Sequence, residues 1–180
     1  MSAPADDHEA DDHEADDPAM PDDAVAARIV TLSWIGTGLL SVTAVLAAVA
    51  PDPFAPAAVA VALVLFAVGT VAFMWAYAVA VGRSRTDLIG MGGLFFLAGS
   101  APRSVQRSLV ASLVVQVVVA VSTASVWLFA SEHFARSTVN PLAFGLLAPM
   151  YGLGLMGLWG AKFGTFSPRP PDPARRRAAS

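Results

Sequence analysis

The chain has 180 residues, of which 56% are hydrophobic and 14% charged, with a formal net charge of −3 and no cysteine. Soluble domains average about 45–50% apolar and about 25% charged residues, and here ten of the fourteen carboxylates fall in residues 1–28, while five of the eleven lysines and arginines fall in 162–180. An apolar block this long excludes an ordinary soluble domain, and the missing cysteines exclude disulfide scaffolds, cysteine nucleophiles and thiolate metal sites.

Residues 1–28 open with a tandem repeat, Ala5-Asp6-Asp7-His8-Glu9 and Ala10-Asp11-Asp12-His13-Glu14, followed by Ala15-Asp16-Asp17. Carboxylate and imidazole are metal ligands, but nothing in the repeat fixes a coordination geometry, and its like charges repel. We expect a disordered acidic tail with no metal site.

Four uncharged runs follow, at 29–50, 57–81, 109–131 and 141–161. A bilayer core of about 30 Å needs roughly 20 apolar residues of helix. It offers no water to the backbone, so each run must close its hydrogen bonds as a helix. The predicted fold class is all-α: a polytopic membrane protein, with a four-transmembrane-helix bundle at 29–165 and disordered cytoplasmic tails at 1–28 and 166–180. Ala48-Val49-Ala50 imitates a signal-peptidase site. The acidic flank, the length of the run and the Pro51-Asp52-Pro53 turn expected after it argue for a retained span instead.

The connection 82–108 carries Arg83, Arg85, Arg103 and Arg107 around an apolar stretch, Leu88 to Ala98, that is too short to span. It suits an interfacial or re-entrant segment. Ser100 is the expected N-cap of the third helix, with Pro102 in its first turn.

Three further features bear on packing. Ser33, Thr37 and Ser41 form a small polar stripe on the first span at i, i+4, i+8, and Gln116 is the one strongly polar side chain within a span. Gln116 and Thr37 fall at matching depth, so an interhelical hydrogen bond is expected; the sharper alternative is a polar ligand site inside the bundle. In the fourth span Gly152-x-Gly154-x-x-Gly157 imitates a dinucleotide fingerprint, without the strand and acidic partner that motif needs. Small residues let membrane helices approach closely. Gly145, Gly152, Gly154, Gly157, Gly160 and Gly164 therefore mark a packing helix, with Gly160-x-x-x-Gly164 as a close-contact pair, the small polar stripe of the first span as its complement, and Pro149 as a mid-span kink.

Orientation follows from the distribution of Lys and Arg in short connections. Arg28, Arg83, Arg85, Arg103, Arg107, Lys162, Arg169, Arg175, Arg176 and Arg177 fall on one side of a four-span chain, and Arg136 alone on the other. Both termini are expected in the cytoplasm, with these cations at lipid headgroups and Arg175–Arg177 in a stiff Pro/Arg-rich tail. Trp34, Trp75, Tyr77 and Trp159 fall near the cytoplasmic ends of spans, and Trp127 and Phe129 near the outer end, as amphipathic rings favour; the alternative for any one of them is packing between helices. No span carries an ionisable group of the kind that proton- and ion-coupled transporters usually keep in the membrane. Glu132, His133 and Arg136 in the outer loop lack a nucleophile or metal triad beside them, so we expect no catalytic residue, cofactor or metal.

From Gly82 to Arg169, the segments Gly82-Arg83-Ser84-Arg85, Leu94-Phe95-Phe96-Leu97, Ala101-Pro102-Arg103, Gln116-Val117-Val118-Val119, Pro149-Met150-Tyr151-Gly152-Leu153-Gly154 and Gly157-Leu158-Trp159-Gly160-Ala161 resemble a group of alanine-rich, four-span integral membrane proteins of actinobacteria. That resemblance implies a bacterial cytoplasmic membrane and carries no established activity, so no functional residue transfers from it. The expected function is that of a non-enzymatic accessory or scaffold subunit. Its partners would be the lipid bilayer and a membrane protein or further copies of itself, not nucleic acid. The alternative is a small transporter or lipid-binding homo-oligomer.

Overall fold

The computed structural model describes residues 21–129 and 141–169. The tail repeat with His8 and His13, the loop residues Glu132, His133 and Arg136, and Arg175–Arg177 lie outside the described residues, as do the side chains of Trp127 and Phe129. The elements in order are α1 (Pro21–Val49), α2 (Pro51–Arg83), α3 (Met91–Phe95), α4 (Arg103–Phe129), a 3-10 segment (Pro141–Leu147) and α5 (Pro149–Phe163). Four segments, Asp23–Val49, Pro51–Arg83, Arg103–Val126 and Ala143–Phe163, are long and apolar enough to cross a membrane. The protein is an all-α, multi-pass membrane bundle.

Its side chains are distributed as hydrocarbon requires. Ile35, Val64, Val71 and Val118 on the outside are each at least 55% exposed. The interior takes Ser33, Thr37, Ser112 and Gln116 together with Ala47, Ala62, Ala76 and Ala120. Apolar faces this extensive would mark a soluble monomer for aggregation. Against lipid tails they cost nothing, and helices associate through close packing and hydrogen bonds instead.

Several boundaries depart from those expected. α1 begins at Pro21, so residues 21–28 belong to the helix rather than to the acidic tail. Proline is favoured in the first turn, where its missing N–H is no loss, and Asp23 supplies a carboxylate near the N-terminus of the helix, where the dipole favours negative charge. The expected Pro51-Asp52-Pro53 turn is absent: α2 starts at Pro51, and Ala50 alone (φ −136°, ψ 80°) reverses the chain. Ser100 does not cap the third span. Its hydroxyl donates to the Gly93 carbonyl (2.5 Å), and the first helical bond of α4 runs from the Gln106 N–H to the Pro102 carbonyl (3.0 Å).

The fourth span is not a kinked helix. Proline has no N–H to return to the carbonyl four residues back, which here belongs to Gly145. That carbonyl accepts instead from the Ala148 N–H at 3.0 Å, an i−3 bond, and α5 starts afresh with Pro149 in its first turn. The fifteen residues of α5 rise only about 22 Å. The seven residues of the 3-10 segment add about 14 Å, which together suffice to cross.

α5 is the central helix, with Tyr151, Gly152, Gly154, Leu155, Met156, Gly157, Trp159, Gly160 and Ala161 all buried. α2 makes the most extensive contact with it, while α1 and α4 pack on each other and on its remaining sides. The apolar stretch of the 82–108 connection folds in as α3, placing Leu94, Phe95 and Leu97 in the core. Phe95 stacks on Phe73 of α2 with centroids 4.7 Å apart. Only its outer residues, among them Met91 and Phe96, remain exposed.

The α2–α5 crossing has room for hydrogen alone. A Cβ on Gly154 would meet the Gly69 carbonyl oxygen, and one on Gly69 would meet the Tyr151 backbone. Gly154→Leu or Gly69→Leu should therefore lower stability by about 1–3 kcal/mol or more, read from denaturation of the detergent-solubilised protein. Gly38, where an added Cβ meets nothing within 4 Å, supplies the control, and Gly38→Leu should stay within about 0.5 kcal/mol of the parent.

Candidate functional site

The polar interior is built from two pairs at helical i, i+4 spacing. Ser33 and Thr37 lie on one face of α1, and Ser112 and Gln116 on the facing side of α4; all four are at most 2% exposed. The α1 stripe thus faces the third span, not the glycine-rich fourth. Ser33 Oγ lies 2.6 Å from Ser112 Oγ, and Ser112 Oγ lies 2.9 Å from Thr37 Oγ1. Thr37 Oγ1 donates to the Ser33 carbonyl at 2.8 Å and accepts from Gln116 Nε2 at 2.8 Å. Ser41, half-buried, returns its hydroxyl to the Thr37 carbonyl at 2.7 Å.

The Gln116 amide is oriented by a donor that cannot rotate. The backbone N–H of Gly152 on α5 points at Gln116 Oε1 (3.2 Å), so the oxygen must face α5 and the NH2 must face α1. One proton assignment then satisfies every hydroxyl. Thr37 donates to the Ser33 carbonyl, Ser112 to Thr37, Ser33 to Ser112, and Gln116 to Thr37 with a longer contact to Ser112 at 3.4 Å. The network joins three helices and leaves none of its own donors open to a ligand. Tyr151 adds a further tie, donating its phenol to the Leu32 carbonyl at 2.8 Å. Its ring lies where a Cβ on Gly36 would be.

The glycines of the fourth span meet different neighbours. Gly152 admits Gln116, Gly154 admits Gly69, Gly157 lies under the Phe95 ring, and Gly160 lies under the Leu94 carbonyl. Gly160 and Gly164 do not form a helix–helix contact pair: Gly164 is the C-cap of α5, beside the Phe166 ring. Gly145 has only an ordinary contact with Ala120, at 3.9 Å from an ideal Cβ. Gly36 and Gly69 are the positions sequence reasoning missed. The available signal for Gly69 was a lone glycine among bulky residues of the second span.

The cations gather at one end of the bundle, where α1 and α4 begin and α2 and α5 finish. Arg85, Arg103, Arg107, Lys162 and Arg169 are exposed there. Arg83, expected at headgroups, turns inward instead. Its Nη1 donates to the Ala161 carbonyl (2.7 Å) and its Nη2 to the Gly164 carbonyl (3.2 Å). The guanidinium also pairs with Asp87 at 3.3 Å and lies 5.4 Å from the centre of the Phe166 ring. A helix C-terminus has free carbonyls and a negative dipole end, and Arg83 meets both. Beside it the chain closes a short antiparallel clasp: Leu88 N–H donates to the Ser167 carbonyl (2.8 Å) and Arg169 N–H to the Thr86 carbonyl (2.7 Å).

At the same end lies a cleft of about 510 Å³ between the start of α1, residues 99–102 and the end of α5. Trp159 forms part of its wall. Of the two placements open to an aromatic near a span end, at the headgroups or packed between helices, Trp159 takes the second: it is buried, and its Nε1 has no hydrogen-bond partner among the described residues. A buried donor left unpaired costs about 1–3 kcal/mol. Among the described residues, no three His, Cys, Asp or Glu side chains converge as a metal site would require. Comparison with protein-family models, curated proteins and solved structures gives no match.

The network makes a quantitative claim. Gln116→Leu strands the Gly152 N–H and removes a donor from Thr37, so stability should fall by about 1–2 kcal/mol. Ser125, whose hydroxyl returns only to the Val121 carbonyl on an exposed face, is the control, and Ser125→Ala should be nearly silent. Equal stability of the two variants would show that the network holds nothing together.

Proposed function

We propose that the protein is a non-enzymatic accessory or scaffold subunit of a bacterial cytoplasmic-membrane complex, with both termini in the cytoplasm. The observation that carries this reading is the closed polar network. Ser33, Thr37, Ser112 and Gln116 are engaged with one another and with Gly152. A carrier needs polar groups that can exchange partners with a substrate, and this bundle commits its own to holding three helices in register. What it offers outward is apolar helix surface, suited to lipid and to neighbouring transmembrane helices. The resemblance to alanine-rich four-span proteins of actinobacteria is consistent with that setting.

The second reading, a small transporter or lipid-binding homo-oligomer working through Gln116, draws on the depth of that side chain in the bundle. It requires Gln116 to leave Thr37 and Gly152 during each cycle. Under it, Gln116→Leu would abolish transport while assembly stayed intact.

Native mass spectrometry of the protein, purified at native level in mild detergent, separates the two. A stoichiometric second protein is the expected result; a clean homo-oligomer would put the transporter reading first. The orientation has its own test. Because the chain has no cysteine, single cysteines placed at Ser2 and Ser137 can be labelled in intact cells with a membrane-impermeant maleimide. The Ser137 site should react and the Ser2 site should not; labelling at Ser2 would invert the topology.

A further inference from the structure

One end of the bundle carries positive charge that nothing in the fold pairs. Arg28, Arg85, Arg103, Arg107, Lys162 and Arg169 are exposed, and none of the six has an ion-pair partner among the described residues. Contacts between their elements bring them to a common face. Asp23 and Ala26 at the start of α1 line one cleft with Pro102 and Phe163, whose chain neighbours are Arg103 and Lys162. Trp34 Nε1 of α1 donates to Ser108 Oγ of α4 at 2.9 Å, beside Arg107. The Thr165 N–H donates to the Ser100 carbonyl (3.0 Å) and the Arg169 N–H to the Thr86 carbonyl (2.7 Å), which adds Arg85 and Arg169 to the same end.

Charge of the opposite sign joins the bundle at this same end. Residues 1–20, which lie outside the described residues, hold eight carboxylates and neither lysine nor arginine, a formal charge of −8 against +5 for the rest of the chain. They meet α1 at Pro21, two residues before the cleft-lining Asp23. Their reach is sufficient. At about 3.5 Å per extended residue, Asp17 extends up to about 14 Å from Pro21 and Asp6 up to about 50 Å, while two helices side by side span about 20–24 Å. A tether this short holds the acids near the cations at about millimolar effective concentration. We propose that residues 1–20 fold back over this cationic face and compete there with anionic phospholipid headgroups, so that the chain carries its own competitor for lipid. The carboxylates between Asp6 and Asp17 meet Arg28, Arg103, Arg107 and Lys162. Exposed ion pairs are individually weak, so the contact is held by their number and yields to salt. It serves a subunit and a homo-oligomer alike, since one chain supplies both sides.

Lys162 is the one lysine of the chain, so a carbodiimide, which joins a carboxylate to an amine only on contact, reads the pairing directly. In phosphatidylcholine nanodiscs the full chain should link Lys162 to the segment 6–17, as identified by peptide mass spectrometry. Mixing isotopically light and heavy chains tells links within one chain from links between two. The yield should fall at least about threefold as salt rises from about 0.1 M to about 1 M and the screening length drops from about 10 Å to about 3 Å. Arg28→Gln, Arg103→Gln and Arg107→Gln combined, all at exposed positions, should lower it as much with Lys162 still in place, and so should phosphatidylglycerol added to the nanodiscs. A tail that is tethered but not docked would respond to neither salt nor the arginines, and that result would overturn the contact. Links found only between chains would overturn it as an intramolecular one. Replacing the eight carboxylates by amides should raise the phosphatidylglycerol retained by the full chain in native mass spectrometry about threefold or more; unchanged retention would overturn the competition with lipid.

Discussion

Inside a bilayer a polar group has no water to fall back on, and the structure is arranged around that constraint. Most of the backbone meets it by being helical, and the buried side chains meet it by pairing across helices. Gln116 is the clearest case, because its amide must satisfy two elements at once: an oxygen toward the Gly152 N–H of α5 and an NH2 toward Thr37 of α1. A side chain with both a donor and an acceptor end suits a position between two helices with opposite demands. The same constraint explains why Pro149 ends one helical segment and starts another. A carbonyl left without its i−4 donor takes an i−3 donor, and the backbone tightens to a 3-10 turn to provide it.

Attraction between the helices has a different origin from that in a soluble bundle. Lipid tails are as apolar as leucine, so burying leucine gains little. Stability has to come from proximity, and proximity comes from missing side chains. Gly69 against Gly154 and Gly160 against Leu94 are places where α5 approaches α2 and α3 more closely than any side chain would allow, and Gly36 on α1 leaves room for the Tyr151 ring. One buried leucine runs against this pattern. Leu97 takes a left-handed backbone, φ 56°, and is wholly buried against α5. That conformation costs a leucine roughly 1–2 kcal/mol, and the residue occupies a place in the core that glycine would leave empty.

Much of the architecture was legible in the residues, because hydrophobic length, uncharged runs and the side on which arginines cluster are properties of the chain itself. Gln116 and Thr37 could be paired for the same reason: depth along a helix is a matter of counting. Partner choice was less legible. The Ser33–Thr37 stripe faces α4, and nothing in α1 distinguishes a helix that meets α4 from one that meets α5. Arg83 resembles the other arginines of its loop in sequence. Only the fold brings it to the end of α5, where two carbonyls and Asp87 draw it inward. Trp159 follows the same logic: an indole near a helix end suits the headgroups or a helix interface, and only the fold, which surrounds α5 with the other helices, decides for the interface.

That α5 is the surrounded helix has a consequence for how the molecule is made. Ribosomes emit chains from the N-terminus, so α1, α2 and α4 enter the membrane before their common core exists. Until α5 follows, Gln116 Oε1 lacks its Gly152 donor, Gly36 and Gly69 line an empty channel, and Leu94 and Phe95 have nothing above them to cover. The early helices are left to hold an open, partly polar trough in hydrocarbon, with Ser33, Thr37 and Ser112 already bonded to one another along its floor. That bonding can form between α1 and α4 alone, so it can keep the trough's walls aligned during biogenesis. The last helix then closes it by docking into a groove of its own shape.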